Sequence, residues 1–135
     1  MLDLRSLIRP ATRNHYLVAP AGYGAAEADE QSPSYALSAD QLFARLKRVM
    51  LSRPRTKLIE EEPSCRAIEV RERSRFLRFA DDITVEVIAE GDASSTIAIY
   101  SRSRFGRSDL GANRRRVWQL LQSLGHDLAN RKHRS

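Results

Sequence analysis

The chemically capable side chains of this sequence are densest in Ser101-Arg102-Ser103-Arg104-Phe105-Gly106-Arg107-Ser108-Asp109-Leu110-Gly111-Ala112-Asn113-Arg114-Arg115-Arg116. Six arginines, two glycines, one aspartate and one asparagine fall within these residues. One chemistry they support is anion binding. Guanidinium groups and the unpaired N–H groups of a helix start can together hold a phosphate or carboxylate. Arg102, Arg104, Arg107, Asn113 and Arg114 are the candidate ligands. The other reading is architectural. Gly106 and Gly111 would supply positive φ angles for a tight strand-to-helix corner. Asp109 or Asn113 would cap the helix, with Asp109 paired to Arg102 or Arg104. The two readings are compatible. Arg114, Arg115 and Arg116 oppose the positive end of the helix dipole, a local cost that favours a nearby anion or acidic surface.

The remaining candidates are weaker. Asp81 and Asp82 could form a metal or acid–base pair, but neighbours on a strand point to opposite faces, so a strand-start role is the better reading. Glu60, Glu61 and Glu62 read as a solvated hairpin end or as partners for arginines across a sheet. His15, His126 and His133 have no mutual spacing that suits a metal. Cys65 has no neighbouring histidine to activate it. Ser101, Ser103 and Ser108 do not form a Gly-x-Ser-x-Gly elbow, and no phosphate-loop, dinucleotide or zinc fingerprint is present. The sequence therefore calls for no metal and no cofactor. It favours a non-enzymatic binding or accessory domain contacting an anionic ligand or an acidic protein surface. The alternative is an enzyme built on Arg104, Asp109 and Asn113, for which no nucleophile or base is evident.

Charge is unevenly distributed over the 135 residues. Residues 1–100 hold 14 Lys+Arg against 15 Asp+Glu, whereas residues 101–135 hold 9 against 2, so the whole net charge of +6 belongs to residues 101–135. That asymmetry points to an acidic or phosphate-bearing partner at one end. Nucleic acid ranks lower, because Phe105 is the one aromatic in the arginine-rich block. A single cysteine excludes an internal disulfide and fits the cytoplasm. No apolar run reaches the roughly 18–20 residues that span a bilayer. The start, Met1 to Pro10, is broken by Asp3, Arg5 and Arg9 and lacks a signal-peptide core. Leu2, Leu4, Leu7 and Ile8 could still form one amphipathic turn.

The elements that must position the block follow from periodicity. Residues 1–36 read as an arm, mostly loop, with a short strand at His15–Val18 and no apolar period from Pro20 to Ala36. Ser38 and Gln41 form a capping box for a helix over residues 39–51, which Pro54 stops. Strands are expected over 56–61, 66–73, 83–87 and 96–102, joined by short turns into an antiparallel meander. Phe76, Leu77 and Phe79 are expected to dip into the core. A second helix runs from about Asn113 to Ala129 on a stripe of Val117, Leu121, Leu124 and Leu128, widened by Trp118 and Leu120, with His126 in water. Trp118 and Leu121 are expected to face the sheet. The resulting fold is α+β, an antiparallel sheet in the order helix–strands–helix with both helices on one face. The domain covers residues 37–130, and residues 131–135 form a basic tail.

Tyr100 to Val117 also resembles the signature of the domain of unknown function 1499 family, whose members carry a similar Ser-x-Ser-Arg-x-Gly-x-Ser-Asp-x-Gly-x-Asn-x-x-Arg block. The resemblance continues more weakly upstream through Phe79–Val85 and Pro54-Arg55 to about Ala36. It implies no activity, cofactor or catalytic residue. Many members of that family also have an anchoring or export segment and a Ser-Pro-Asn-type block near the start. Here the corresponding residues are Arg13-Asn-His-Tyr-Leu-Val-Ala-Pro20.

Overall fold

A computed structural model describes residues 1–75, 79–104 and 111–132, the side chains of residues 131 and 132 excepted. Among the described residues, seven strands and two α-helices make an α+β domain. They are β1 (His15–Ala19), β2 (Glu30–Gln31), β3 (Ser34–Tyr35), α1 (Ala39–Leu51), β4 (Thr56–Glu62), β5 (Ala67–Arg73), β6 (Ala80–Gly91), β7 (Ser94–Ser103) and α2 (Ala112–Lys132). Strands β4 to β7 form the expected antiparallel meander. The sheet does not end there. Its order is β2-β1-β7-β6-β5-β4, with β3 also pairing β7, and β2 lies parallel to β1. The sheet is therefore mixed, and α1 sits in the middle of the chain rather than at its start. Residues 20–36 carry no apolar period because their strands are two residues long and held by their neighbours. Ser32 N–H donates to the Ala19 carbonyl, and Thr96 Oγ1 donates to the Pro33 carbonyl at 2.8 Å.

Helix α1 begins with the capping box read from the sequence, Ser38 Oγ accepting from Gln41 N–H and Gln41 Oε1 from Ser38 N–H. Its apolar stripe of Leu42, Phe43, Leu46, Val49 and Met50 meets one sheet face made by Ile68, Val70, Ile83, Val85, Val87, Ile97 and Ile99. Helix α2 lies on the same face through Val117, Leu120 and Leu124, flanked by the partly buried Leu121 and Leu128. Trp118 is not part of this stripe. At about 100° per residue it lies about 160° round the helix from Leu120. It is 44% exposed, and its indole N–H donates to Glu30 Oε2. His126 is exposed, as expected. Phe79 is also exposed, while Phe76 and Leu77 lie outside the described residues.

The opposite sheet face is not simply solvated. Leu4 and Leu7 close a second apolar cluster over Leu17, Ala98 and Tyr100. Gly24 permits the close approach this requires, since a Cβ there would stand 2.8 Å from the Arg5 carbonyl oxygen.

These positions separate the two readings of α2. Leu120→Ala is expected to cost roughly 2–5 kcal/mol in urea or thermal unfolding, and Trp118→Ala clearly less. Equal losses would return Trp118 to the core.

Candidate functional site

Alternation on β7 points Ser101 and Ser103 towards the helices, while α2 places Asn113 and Arg116 one turn apart on its inner side. These four side chains form one buried polar knot. Asn113 is fully buried. Its amide nitrogen donates to Ser103 Oγ at 2.9 Å and to the Asn14 carbonyl at 3.0 Å, and its Oδ1 accepts from Ser101 Oγ. Arg116, 11% exposed, spans the knot. It donates to Asn113 Oδ1 at 3.0 Å, to Ser101 Oγ at 3.3 Å and to Asp81 Oδ2 at 2.6 Å, and its Nε lies 3.4 Å from Glu72. Arg53 holds Glu72 from the other side at 2.9 Å and also reaches Gln119. Gly111, just before the helix, has a φ of +83°.

Asp82 points to the opposite face, so the adjacent aspartates serve separate networks. Arg71 donates to Asp82 Oδ1 at 2.8 Å and Arg104 to Asp82 Oδ2 at 3.0 Å. Arg102 lies 3.6 Å from Glu69 and 3.9 Å from Asp82. Glu69 also accepts from Thr84 Oγ1 at 2.8 Å. Three guanidinium groups thus meet two nearly buried carboxylates on the sheet face. Burial raises the Asp82 carboxyl, but hydrogen bonds from Arg71 and Arg104 outweigh it and hold the group below its usual range. Glu72 shows the same balance: burial raises it, and Arg53 and Arg116 bring it down.

Arg114 belongs to neither network. Its guanidinium stacks 4.0 Å from the Trp118 ring centre and faces a cleft of about 440 Å³. Arg9, Thr12, Arg13, His15, Tyr16, Asp29 and Gly111 complete the cleft. Arg9 is committed to Asp29, to the Glu27 carbonyl and to His15 Nδ1. Arg13 is exposed, and among the described residues neither Arg13 nor Arg114 is paired with a carboxylate. The sequence candidates are thus divided: Asn113 inside the knot, Arg102 and Arg104 on the sheet face, Arg114 in the cleft. Arg107, Gly106 and Asp109 lie outside the described residues. Sequence reasoning missed Arg9, Arg13 and Tyr16 as cleft residues. The available signal was the spacing of Arg9 and Arg13 just before the strand that begins at His15. Cys65 is exposed, and among the described residues no cluster of His, Cys, Asp and Glu could hold a metal.

Residues 9–124 match the model of a family described as "Protein of unknown function (DUF1499)". No curated protein matches the sequence. Among solved structures, the crystal structure of the di-domain ARO/CYC BexL from the BE-7585A biosynthetic pathway is similar in fold, with 14% identity and a TM-score of 0.54. That likeness covers 73% of this chain and 45% of BexL, so this chain spans less than half of its length. The Zhui aromatase/cyclase from Streptomyces sp. R1128 aligns over 84% of this chain and 92% of its own, with 14% identity and a TM-score of 0.47.

Two outcomes follow from the networks. Arg116→Ala leaves Asp81 buried without its partner and is expected to cost about 3–5 kcal/mol, whereas Arg104→Ala, on a half-exposed side chain, costs much less. Asp82 and Glu72 are more acidic folded than unfolded, so the stability they contribute is complete above about pH 5 and is lost as pH falls through about 4 and below. Melting midpoints between pH 2.5 and 6 should fall less steeply in Asp82→Asn and Glu72→Gln than in the parent. Parallel curves would remove both groups from the acid response.

Proposed function

This chain belongs to the DUF1499 family, and we propose that it is a non-enzymatic binding domain for an anionic ligand, seated where the start of α2 meets residues 9–16. The observation that carries this reading is the pair Arg13 and Arg114. Both border one cleft, and neither is neutralised by a carboxylate among the described residues. Arg102 and Arg104 add positive charge on the neighbouring sheet face, where three arginines meet Asp82 and Glu69. They remain 31% and 46% exposed, so their outer N–H groups are available as secondary contacts. Their inward N–H groups are used by the protein itself.

Stacking of Arg114 on Trp118 favours the role. A guanidinium laid flat on an aromatic ring has few rotamers left to lose when it binds, and its N–H edge stays open. Arg9, locked to Asp29, gives the cleft a fixed wall. The concentration of positive charge in residues 101–135 would draw an anion towards this end of the molecule. The ligand class is a phosphate, a carboxylate or an acidic protein surface.

Melting in the presence of phosphate at low salt tests the reading. A ligand present at about 100 times its Kd stabilises by about 2.7 kcal/mol, which raises the midpoint by several degrees. The parent should show this rise and Arg13→Ala/Arg114→Ala should not. Lys57→Ala, which removes an exposed charge from β4, should retain it. An unchanged parent midpoint with phosphate, sulfate and citrate would overturn the proposal.

A further inference from the structure

The cleft bordered by Arg13 and Arg114 does not end at its basic wall. Arg9, Thr12 and His15 also line a second cleft of about 500 Å³, whose other walls include Leu7, Ile8, Pro10, Ala25 and Ala26. The two form one groove, basic towards Arg13 and Arg114 and richer in apolar side chains towards Leu7, Ile8 and Pro10, where Glu27 also stands. Each half falls within the roughly 300–1,000 Å³ range of small-molecule sites.

We propose that the occupant of this groove is a single-chain anionic amphiphile, bound as a monomer. Its carboxylate or phosphate head lies between Arg13 and Arg114, and its alkyl chain runs along Leu7, Ile8 and Pro10. This inference rests on the anion-binding reading above and specifies the ligand. Ile8 supplies the independent observation. Of the apolar residues Leu2, Leu4, Leu7 and Ile8, Leu4 and Leu7 are used in the second core, whereas Ile8 is 89% exposed. One exposed apolar side chain is ordinary. Ile8, however, stands in a cleft whose walls include the apolar Leu7, Pro10, Ala25 and Ala26, with Glu27 as the one acidic member, and which opens onto guanidinium groups. An inorganic anion would fill only the basic half, and an uncharged hydrophobe would leave Arg13 and Arg114 unmatched. A molecule carrying both chemistries satisfies both halves.

Calorimetric titration of the full chain with decyl phosphate below its micelle threshold tests this, with inorganic phosphate, uncharged decyl maltoside and phosphatidylglycerol vesicles as comparisons. Decyl phosphate is expected to bind about ten-fold or more tightly than either inorganic phosphate or decyl maltoside, as burial of part of an alkyl chain requires. Ile8→Ser, at a site too exposed to matter for folding, should lower the ratio of decyl phosphate to inorganic phosphate affinity several-fold. Arg13→Ala/Arg114→Ala should weaken both phosphates together. Equal binding of decyl phosphate and inorganic phosphate would overturn the amphiphile while leaving the anion site in place. Binding to vesicles without binding of the monomer would replace the groove ligand with a membrane surface. Binding of neither phosphate would remove the anion site itself.

Discussion

The contact on which the rest of this structure depends is that between Arg116 and Asp81, made deep between α2 and the sheet. A guanidinium this far from water is tolerable only when its charge is opposed and most of its hydrogens are met, here all but the Nε–H, which faces Glu72 without a hydrogen bond among the described residues. Asp81 and Glu72 oppose the charge, and Ser101 and Asn113 accept two more of its hydrogen bonds. The partners come from β5, β6, β7 and the first turn of α2, so a slip in any one register would leave a buried charge alone. That penalty fixes where α2 begins. It also explains the spacing of the sequence block: Ser101 and Ser103 stand two positions apart for one sheet face, Asn113 and Arg116 three positions apart for one helix face.

Strand alternation then divides the arginines into groups with different work. Asp81 and Asp82 are adjacent and serve opposite faces, the first opposing Arg116 and the second Arg71 and Arg104. Part of the positive charge that dominates residues 101–135 in sequence is therefore balanced locally in the fold, with Arg102, Arg104 and Arg116 opposed by carboxylates from β5 and β6. The dipole conflict expected from Arg114, Arg115 and Arg116 is eased in the same way. Arg116 turns inward to carboxylates, and Arg114 turns sideways onto Trp118. Net charge by itself therefore does not show how many of these guanidinium groups are left unopposed.

What could be read from the sequence was whatever depends on neighbours along the chain. The α1 capping box needs only Ser38 and Gln41, and the meander needs only alternation and short turns, so both were legible. Strands β2 and β3 were not, because two-residue strands have no period and exist through pairing to β1 and β7. Trp118 was misplaced because a stripe centred on Val117 and one centred on Leu120 differ by a fraction of a turn. Only packing against the sheet selects between them. Arg102 and Arg104 were recognisable as chemically capable, but their pairing with Asp82 requires the β6–β7 register.

The cleft has a further dependence, on residues 1–28. Leu4 and Leu7 dock on Leu17, Ala98 and Tyr100, while Arg5 and Tyr23 both reach Glu86, at 3.2 and 3.0 Å. With Leu4 and Leu7 held, Ile8 cannot follow them into the same cluster and is left facing out. Arg9 is then carried over His15 to Asp29. The two halves of the groove are therefore products of one docking event: the energy that closes the second core also sets the apolar wall beside the basic one. Loosening Leu4 or Leu7 would dismantle the groove without touching Arg13 or Arg114. The proposed binding surface belongs to the tertiary structure of this segment as much as to the arginine-rich block that draws attention in the sequence.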